Sequence, residues 1–167
     1  AAAEPPPRPL GFEQIVVAVD VANPLLGPTG ATRVYGPQKG LKPEDLDRAE
    51  RCLARLAATL KPQQGPAAEQ EPGAGAAGGL GYGLKAFVGG AFRPGAAIFA
   101  ELAGLGEKIR QADLVITGEG ALDEQSRMGK GTGFVAEMAA RAGKRCLCLA
   151  GRIEPDFPGS PWPGFAA

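Results

Sequence analysis

Two acidic residues stand where a strand would hand a ligand to a side chain. Asp20 closes the apolar run Ile15-Val16-Val17-Ala18-Val19, and Glu119 lies in Thr117-Gly118-Glu119-Gly120, directly after Asp113-Leu114-Val115-Ile116-Thr117. Open parallel sheets bind ligands outside the carboxyl ends of their strands, so both positions, with Asp123 shortly beyond, are candidate site residues. Gly118 and Gly120 would let the chain turn tightly and let a ligand approach the backbone N–H groups. The plainer alternative is a solvated Gly-Glu-Gly turn followed by Asp123 as a helix N-cap. The chain has no histidine. Ser-His-Asp and Cys-His nucleophile systems are therefore excluded, and chemistry must come from carboxylates, lysine, arginine, hydroxyls and backbone N–H groups.

Lys39, in Gly36-Pro37-Gln38-Lys39-Gly40, and Lys130, in Gly129-Lys130-Gly131-Thr132, could each meet a phosphate as a point charge. Lys130 does not belong to a Walker A loop, because position 124, where that loop needs its first glycine, is Glu. Gly73-Ala74-Gly75-Ala76-Ala77-Gly78 spells GxGxxG, but the polar stretch before it offers no strand to enter the turn. Close backbone packing accounts for these glycines better than a dinucleotide does.

The elements that must position these residues can be read from apolar spacing. A strand is expected over 15–19, then a long loop from Val21 to about Lys42. A helix is expected from about 43 to 60, opened by Pro43 with Glu44 and Asp45 in its first turn. Leu46, Ala49, Leu53, Leu56, Ala57 and Leu60 form its apolar stripe. Residues 61–72 read as a surface linker. A glycine-bearing helix is expected within 73–90, and shorter helices over 94–103 and 105–111. Strand 113–117, helix 124–141 and strand 145–150 then make a βαβ unit with a parallel sheet.

The 167 residues suffice for one domain or parts of two. Eighteen Lys and Arg balance eighteen Asp and Glu, which leaves no electrostatic footprint for nucleic acid or an anionic membrane. No apolar run reaches the roughly 18 residues of a bilayer span. With no leader signature at the start of the sequence, a cytoplasmic location is the expectation. Cys52, Cys146 and Cys148 lack metal-ligand spacing, and the last two, on one face of a strand, are expected to be buried free thiols. The 26 glycines and 16 prolines fall mostly between periodic stretches, as loops and linkers.

Asp20-Val21-Ala22-Asn23-Pro24-Leu25-Leu26-Gly27, Gly36-Pro37-Gln38-Lys39-Gly40, the glycine-rich 72–81 stretch and Ile116-Thr117-Gly118-Glu119-Gly120 together resemble the bacterial type I glycerate kinase family, in the family's order. The resemblance implies an α/β fold, part of a two-domain architecture in which a second α/β domain is inserted into a Rossmann-like parallel sheet. It would assign residues 1–111 to part of the inserted domain and 112–167 to part of the Rossmann-like one. It also implies ATP-dependent, Mg²⁺-assisted phosphorylation of D-glycerate.

Family members are more than twice as long, so the activity is expected to need an amino-terminal half, and the chain by itself is expected to be inactive. Two departures accompany the likeness: Ala121 replaces the family's usual Arg, and a proline common after the Gly-Lys pair is absent from Gly131-Thr132-Gly133. On this reading Asp20 or Asp123 receives the hydroxyl proton of glycerate, and Glu119 and Asp123 hold Mg²⁺. Lys39 and Lys130 neutralise phosphate or carboxylate, Asn23 and Gln38 hydrogen-bond the substrate hydroxyls, and the N–H groups of Gly118 and Gly120 complete the cradle. All of this requires Asp20 and Glu119 to reach one crevice from neighbouring strand tips. A second copy of the chain is a candidate partner. The alternatives to catalysis are a nucleotide- or sugar-acid-binding module and an inert truncated piece.

Overall fold

A computed structural model describes residues 11–65, 67–122, 126 and 131–154. The chain forms two compact units that part between Gly95 and Ala96.

In the first unit, strand β1 (Val16–Val19) pairs in parallel with β2 (Ala91–Pro94), with Val17 opposite Phe92. Between them run α1 (Ala31–Tyr35), α2 (Leu46–Gln64) and α3 (Ala76–Val88). The stretch expected to be a plain loop over 21–42 therefore contains a helix and, at Pro37–Lys39, a 3₁₀ turn. The short helix escapes periodicity analysis because one and a half turns cannot display a 3.6-residue repeat. Pro43–Asp45 forms a further 3₁₀ turn that leads into α2. The expected apolar stripe of α2 faces inward: Ala57 and Leu60 are buried, and Leu53 and Leu56 pack against the same core, with Leu25, Ala68, Ala74, Tyr82 and Ala86.

The supposed linker over 61–72 holds regular structure in its described residues, since α2 continues to Gln64 and Ala68–Gln70 is a 3₁₀ turn with Ala68 buried. Its order comes from tertiary contact: the Leu25 N–H donates to the Glu69 carbonyl at 2.8 Å, and Gln64 reaches the Ala86 carbonyl at 3.3 Å. Polar composition alone could not register those partners. No strand enters the GxGxxG stretch, in agreement with its rejection as a dinucleotide turn. A Cβ at Gly75 would lie 2.2 Å from the Pro24 carbonyl oxygen, and the Gly75 N–H donates to the Asn23 carbonyl at 2.9 Å. Close backbone approach is what glycine supplies there. The first turn of α3 is irregular: Ala77, Gly78 and Gly79 have φ of 52°, 75° and 100°, which two glycines make affordable. The strand β2, lying between two helical stretches and ending in proline, was not expected; it forms because β1 supplies its ladder.

In the second unit, α4 (Gly95–Leu102) and α5 (Leu105–Gln111) precede β3 (Leu114–Leu122), α6 (Gly131–Arg141) and β4 (Arg145–Ile153). β3 and β4 pair in parallel, with Val115 opposite Cys146 and Gly118 opposite Leu149. α6 packs on one face of this pair, and Ile109, Val115, Ala136, Ala139 and Cys146 form the core beneath it. On the opposite face Leu114, Ile116, Leu147 and Leu149 are exposed. The expected βαβ unit is present over the described residues.

Candidate functional site

Asp20 follows β1 and is exposed. Its Oδ1 accepts the N–H of Gly95, the first residue of α4, at 3.1 Å. A Cβ on Gly95 would stand 2.7 Å from that oxygen, so glycine makes room for the carboxylate. Acceptors at a helix start satisfy N–H groups that lack an intrahelical partner, and Asp20 has this structural task whatever else it does.

Asn23 is committed on both sides of its amide. Its Oδ1 accepts the Tyr35 hydroxyl at 2.6 Å, and its Nδ2 donates to the Thr29 carbonyl at 2.8 Å. Sequence reasoning missed Tyr35, which sits in the stretch assumed to be featureless loop. Burial raises the Tyr35 phenol above its ordinary value, so it remains a neutral donor to Asn23. Glu50 was also missed: its Oε1 accepts the Gly27 N–H at 2.7 Å and thereby ties the 23–30 loop to α2, while its Oε2 is buried with no hydrogen-bond partner. The only trace of this pairing in the sequence is an acid on the flank of the α2 stripe.

Gln38 and Lys39 lie exposed in the 3₁₀ turn, which is closed by N–H donation from Gly40 to the Pro37 carbonyl at 3.0 Å. Lys39 and Tyr35 line one pocket of about 450 Å³, together with Thr32, Leu41, Cys52 and Leu53. Asn23, Tyr35 and the lysine-bearing turn are thus connected within the first unit.

Glu119 corrects the sequence reading of its surroundings. It does not follow a strand that ends at Thr117. β3 continues to Leu122, with Glu119 opposite Ala150 and Leu122 opposite Ile153. Gly118 and Gly120 lie inside the strand and not in a turn: glycine breaks strands by weak preference, and pairing with β4 outweighs that. A Cβ at Gly118 would lie 2.5 Å from the Leu149 carbonyl oxygen, which gives this glycine a packing role. Glu119 shares its sheet face with Val115 and Thr117, the face that α6 covers, and its Oε1 is buried without a hydrogen-bond partner. Burial first, and then the Glu119 carboxylate, push the Cys148 thiol up; burial and then Cys148 push up Cys146. Cys146 is buried and Cys148 partly so, as free thiols.

Asp123 and Lys130 lie outside the described residues. Among the described residues no group of three or more His, Cys, Asp or Glu is placed to hold a metal ion. β1, which Asp20 follows, pairs with β2, and β3, which carries Glu119, pairs with β4.

Parallel strands joined through packed helices define an α/β protein. The glycerate kinase family profile matches residues 7–166, and the chain belongs to that family. It is 40% identical over 142 residues to the glycerate 2-kinase of Escherichia coli K12, covering 85% of this chain and 37% of that protein. An uncharacterized protein of Mycobacterium bovis is 43% identical over 149 residues, 89% of this chain and 39% of the other. A crystal structure of a Salmonella typhimurium LT2 protein, provisionally named glycerate kinase 2, superposes with a TM-score of 0.68 at 42% identity, over 83% of this chain and 37% of that one. The chain thus spans about two fifths of the length of the curated relatives it matches. No helix among the described residues is long and apolar enough to cross a membrane.

Proposed function

We propose that the gene product carrying this chain phosphorylates D-glycerate with ATP, and that this chain contributes part of the site. Family membership across residues 7–166 supports the reaction class. The observation within the chain that carries the reading is the buried, unpartnered Oε1 of Glu119. An orphaned carboxylate oxygen is costly to bury and fits a hard divalent cation, and Mg²⁺ characteristically takes one or two carboxylates along with substrate phosphates. Glu119 and Asp123 would hold it. When bound, the ion neutralises charge on the β- and γ-phosphate oxygens.

The chain's own task is positioning and proton transfer. Asp20 or Asp123 takes the proton of the glycerate hydroxyl as its oxygen bonds to the γ-phosphorus, the bond to the β-bridging oxygen breaks, and ADP leaves. The hydrogen bond from the Gly95 N–H orients Asp20 for this role and leaves its second oxygen for the substrate. Lys130 neutralises phosphate, and Gln38 and the remaining hydrogen-bonding capacity of Asn23 serve the substrate hydroxyls. Lys39 stands apart from this set, because its neighbours in the pocket are mainly apolar and offer nothing to a phosphate chain.

The test is D-glycerate-dependent ADP release by the full gene product with ATP and Mg²⁺, compared with the 167-residue chain alone, which is expected to show none. Glu119→Gln is expected to lower kcat by about 100-fold or more, as losses of a charge-stabilising contact typically do. ATP binding without glycerate-dependent turnover in the full product would replace the kinase with a binding module. Wild-type kcat in Glu119→Gln would remove Glu119 from the site.

A further inference from the structure

The pocket beside the Pro37–Lys39 turn does not match glycerate. Its volume of about 450 Å³ lies in the range that encloses drug-sized ligands, far beyond a three-carbon acid. Its walls are built by Ala31 and Thr32 of α1, Leu41, Ala49, Cys52 and Leu53 of α2 and its approach, and Gly78 of α3. Most of what they offer is carbon. Among the described residues that line it, Lys39 is the one charged group, and no carboxylate stands with it.

Two cations that flank this region are already paired: Arg33 with Asp47 at 2.5 Å, and Lys85 with Glu71. No ion pair is formed by Lys39 among the described residues, although the turn that carries it is held, besides the Gly40 to Pro37 bond, by hydrogen bonds from the Lys39 and Leu41 N–H groups to the Gly36 carbonyl at 3.0 and 2.9 Å. The turn is also tight at its root. A Cβ on Gly36 would lie 2.3 Å from the Thr32 carbonyl oxygen. Tyr35, a second wall of the pocket, is fixed from behind by the hydrogen bond of its hydroxyl to Asn23. An apolar cavity with a fixed aromatic wall and a single cation carried on a hydrogen-bonded turn suits a ligand of opposite charge with a bulky apolar body.

We propose that this pocket binds an organic anion carrying a bulky apolar body, with Lys39 meeting the anion and Leu41, Ala49 and Leu53 enclosing the body. The site is independent of the kinase reading, since it needs neither D-glycerate nor ATP. Cys52 supplies the reporter. It lines the pocket and is exposed, whereas Cys146 is buried and Cys148 partly so.

The experiment uses the whole 167-residue chain and follows iodoacetamide alkylation of Cys52 by mass spectrometry of its peptide. The probe is 8-anilinonaphthalene-1-sulfonate, compared with its uncharged parent N-phenyl-1-naphthylamine and with D-glycerate. The sulfonate is expected to slow Cys52 alkylation in a saturable manner, the uncharged parent to do so more weakly, and D-glycerate not at all. Because one solvent-facing ion contact is a weak one, Lys39→Gln is expected to weaken protection by the sulfonate roughly 1.4–5-fold while leaving the uncharged parent unchanged. Reading Cys52 directly separates this site from dye adsorbed on the exposed sheet face of the second unit. Any of three results overturns the proposal: no protection by the sulfonate at saturation, equal protection by the uncharged parent, or protection by D-glycerate. Unchanged protection in Lys39→Gln, with the fold verified by circular dichroism, overturns the role of Lys39.

Discussion

Gly118 and Gly120 flank the candidate carboxylate symmetrically, and the structure gives them opposite sensitivities. A Cβ added at Gly118 would sit 2.5 Å from the Leu149 carbonyl oxygen, a backbone atom of the partner strand that cannot swing aside. A Cβ added at Gly120 meets nothing within 4 Å, and neither glycine has a positive φ. Gly118→Ala must therefore push β3 and β4 apart where they are in register, at an overpacking cost of about 1–3 kcal/mol. Gly120→Ala encounters no clash and restricts the unfolded chain, so it is expected to stabilise by about 0.4–1 kcal/mol. At a urea m-value of about 1–3 kcal/mol/M, a difference of about 2 kcal/mol between the variants separates their unfolding midpoints by roughly 1 M. Urea titrations followed by circular dichroism, on the same preparation as wild type, measure this. If both glycines instead existed to let a ligand approach, the two alanines would leave stability alike and differ only in ligand affinity. Equal midpoints for the two variants would refute the close-packing account of Gly118.

Two further outcomes follow from groups beside the site. Asp20→Ala removes the acceptor for the Gly95 N–H and is expected to cost about 0.5–2 kcal/mol, whereas Asp20→Asn keeps an acceptor and most of that stability. Comparing the two in thermal unfolding, and both in ADP release, separates the capping task from proton transfer. The Cys146 and Cys148 thiols are raised from an ordinary value of 9.0, chiefly by burial, so the folded state holds their protons more tightly than the unfolded state. Their contribution to stability is complete below pH 9.0 and is lost as pH rises through the raised folded values. Denaturation midpoints measured from pH 8 upward are expected to fall, less so in Cys148→Ser; a flat profile would show that these thiols are not desolvated.

Much of this protein is legible from residue order alone. The β-branched runs at 15–19 and 113–117 and the leucine stripe of α2 announce themselves because their periodicity is a property of consecutive residues. Family membership is legible for the same reason, since the motifs around Asp20, Lys39 and Glu119 are contiguous. What only the tertiary structure decides depends on partners remote in the chain. Glu119 lies in a strand and not a turn because β4, some thirty residues on, supplies the ladder through Ile153. Residues 68–70 are ordered because Leu25 binds the Glu69 carbonyl. Glu50, Tyr35 and Asn23 brace the 23–35 segment through hydrogen bonds across sequence separations of 12 to 23. The pocket at Lys39 likewise exists only where three helices meet. Local pattern records which face of an element is apolar; which atom a buried N–H, hydroxyl or carboxylate finds there is set by packing, and packing has no signature in neighbouring residues.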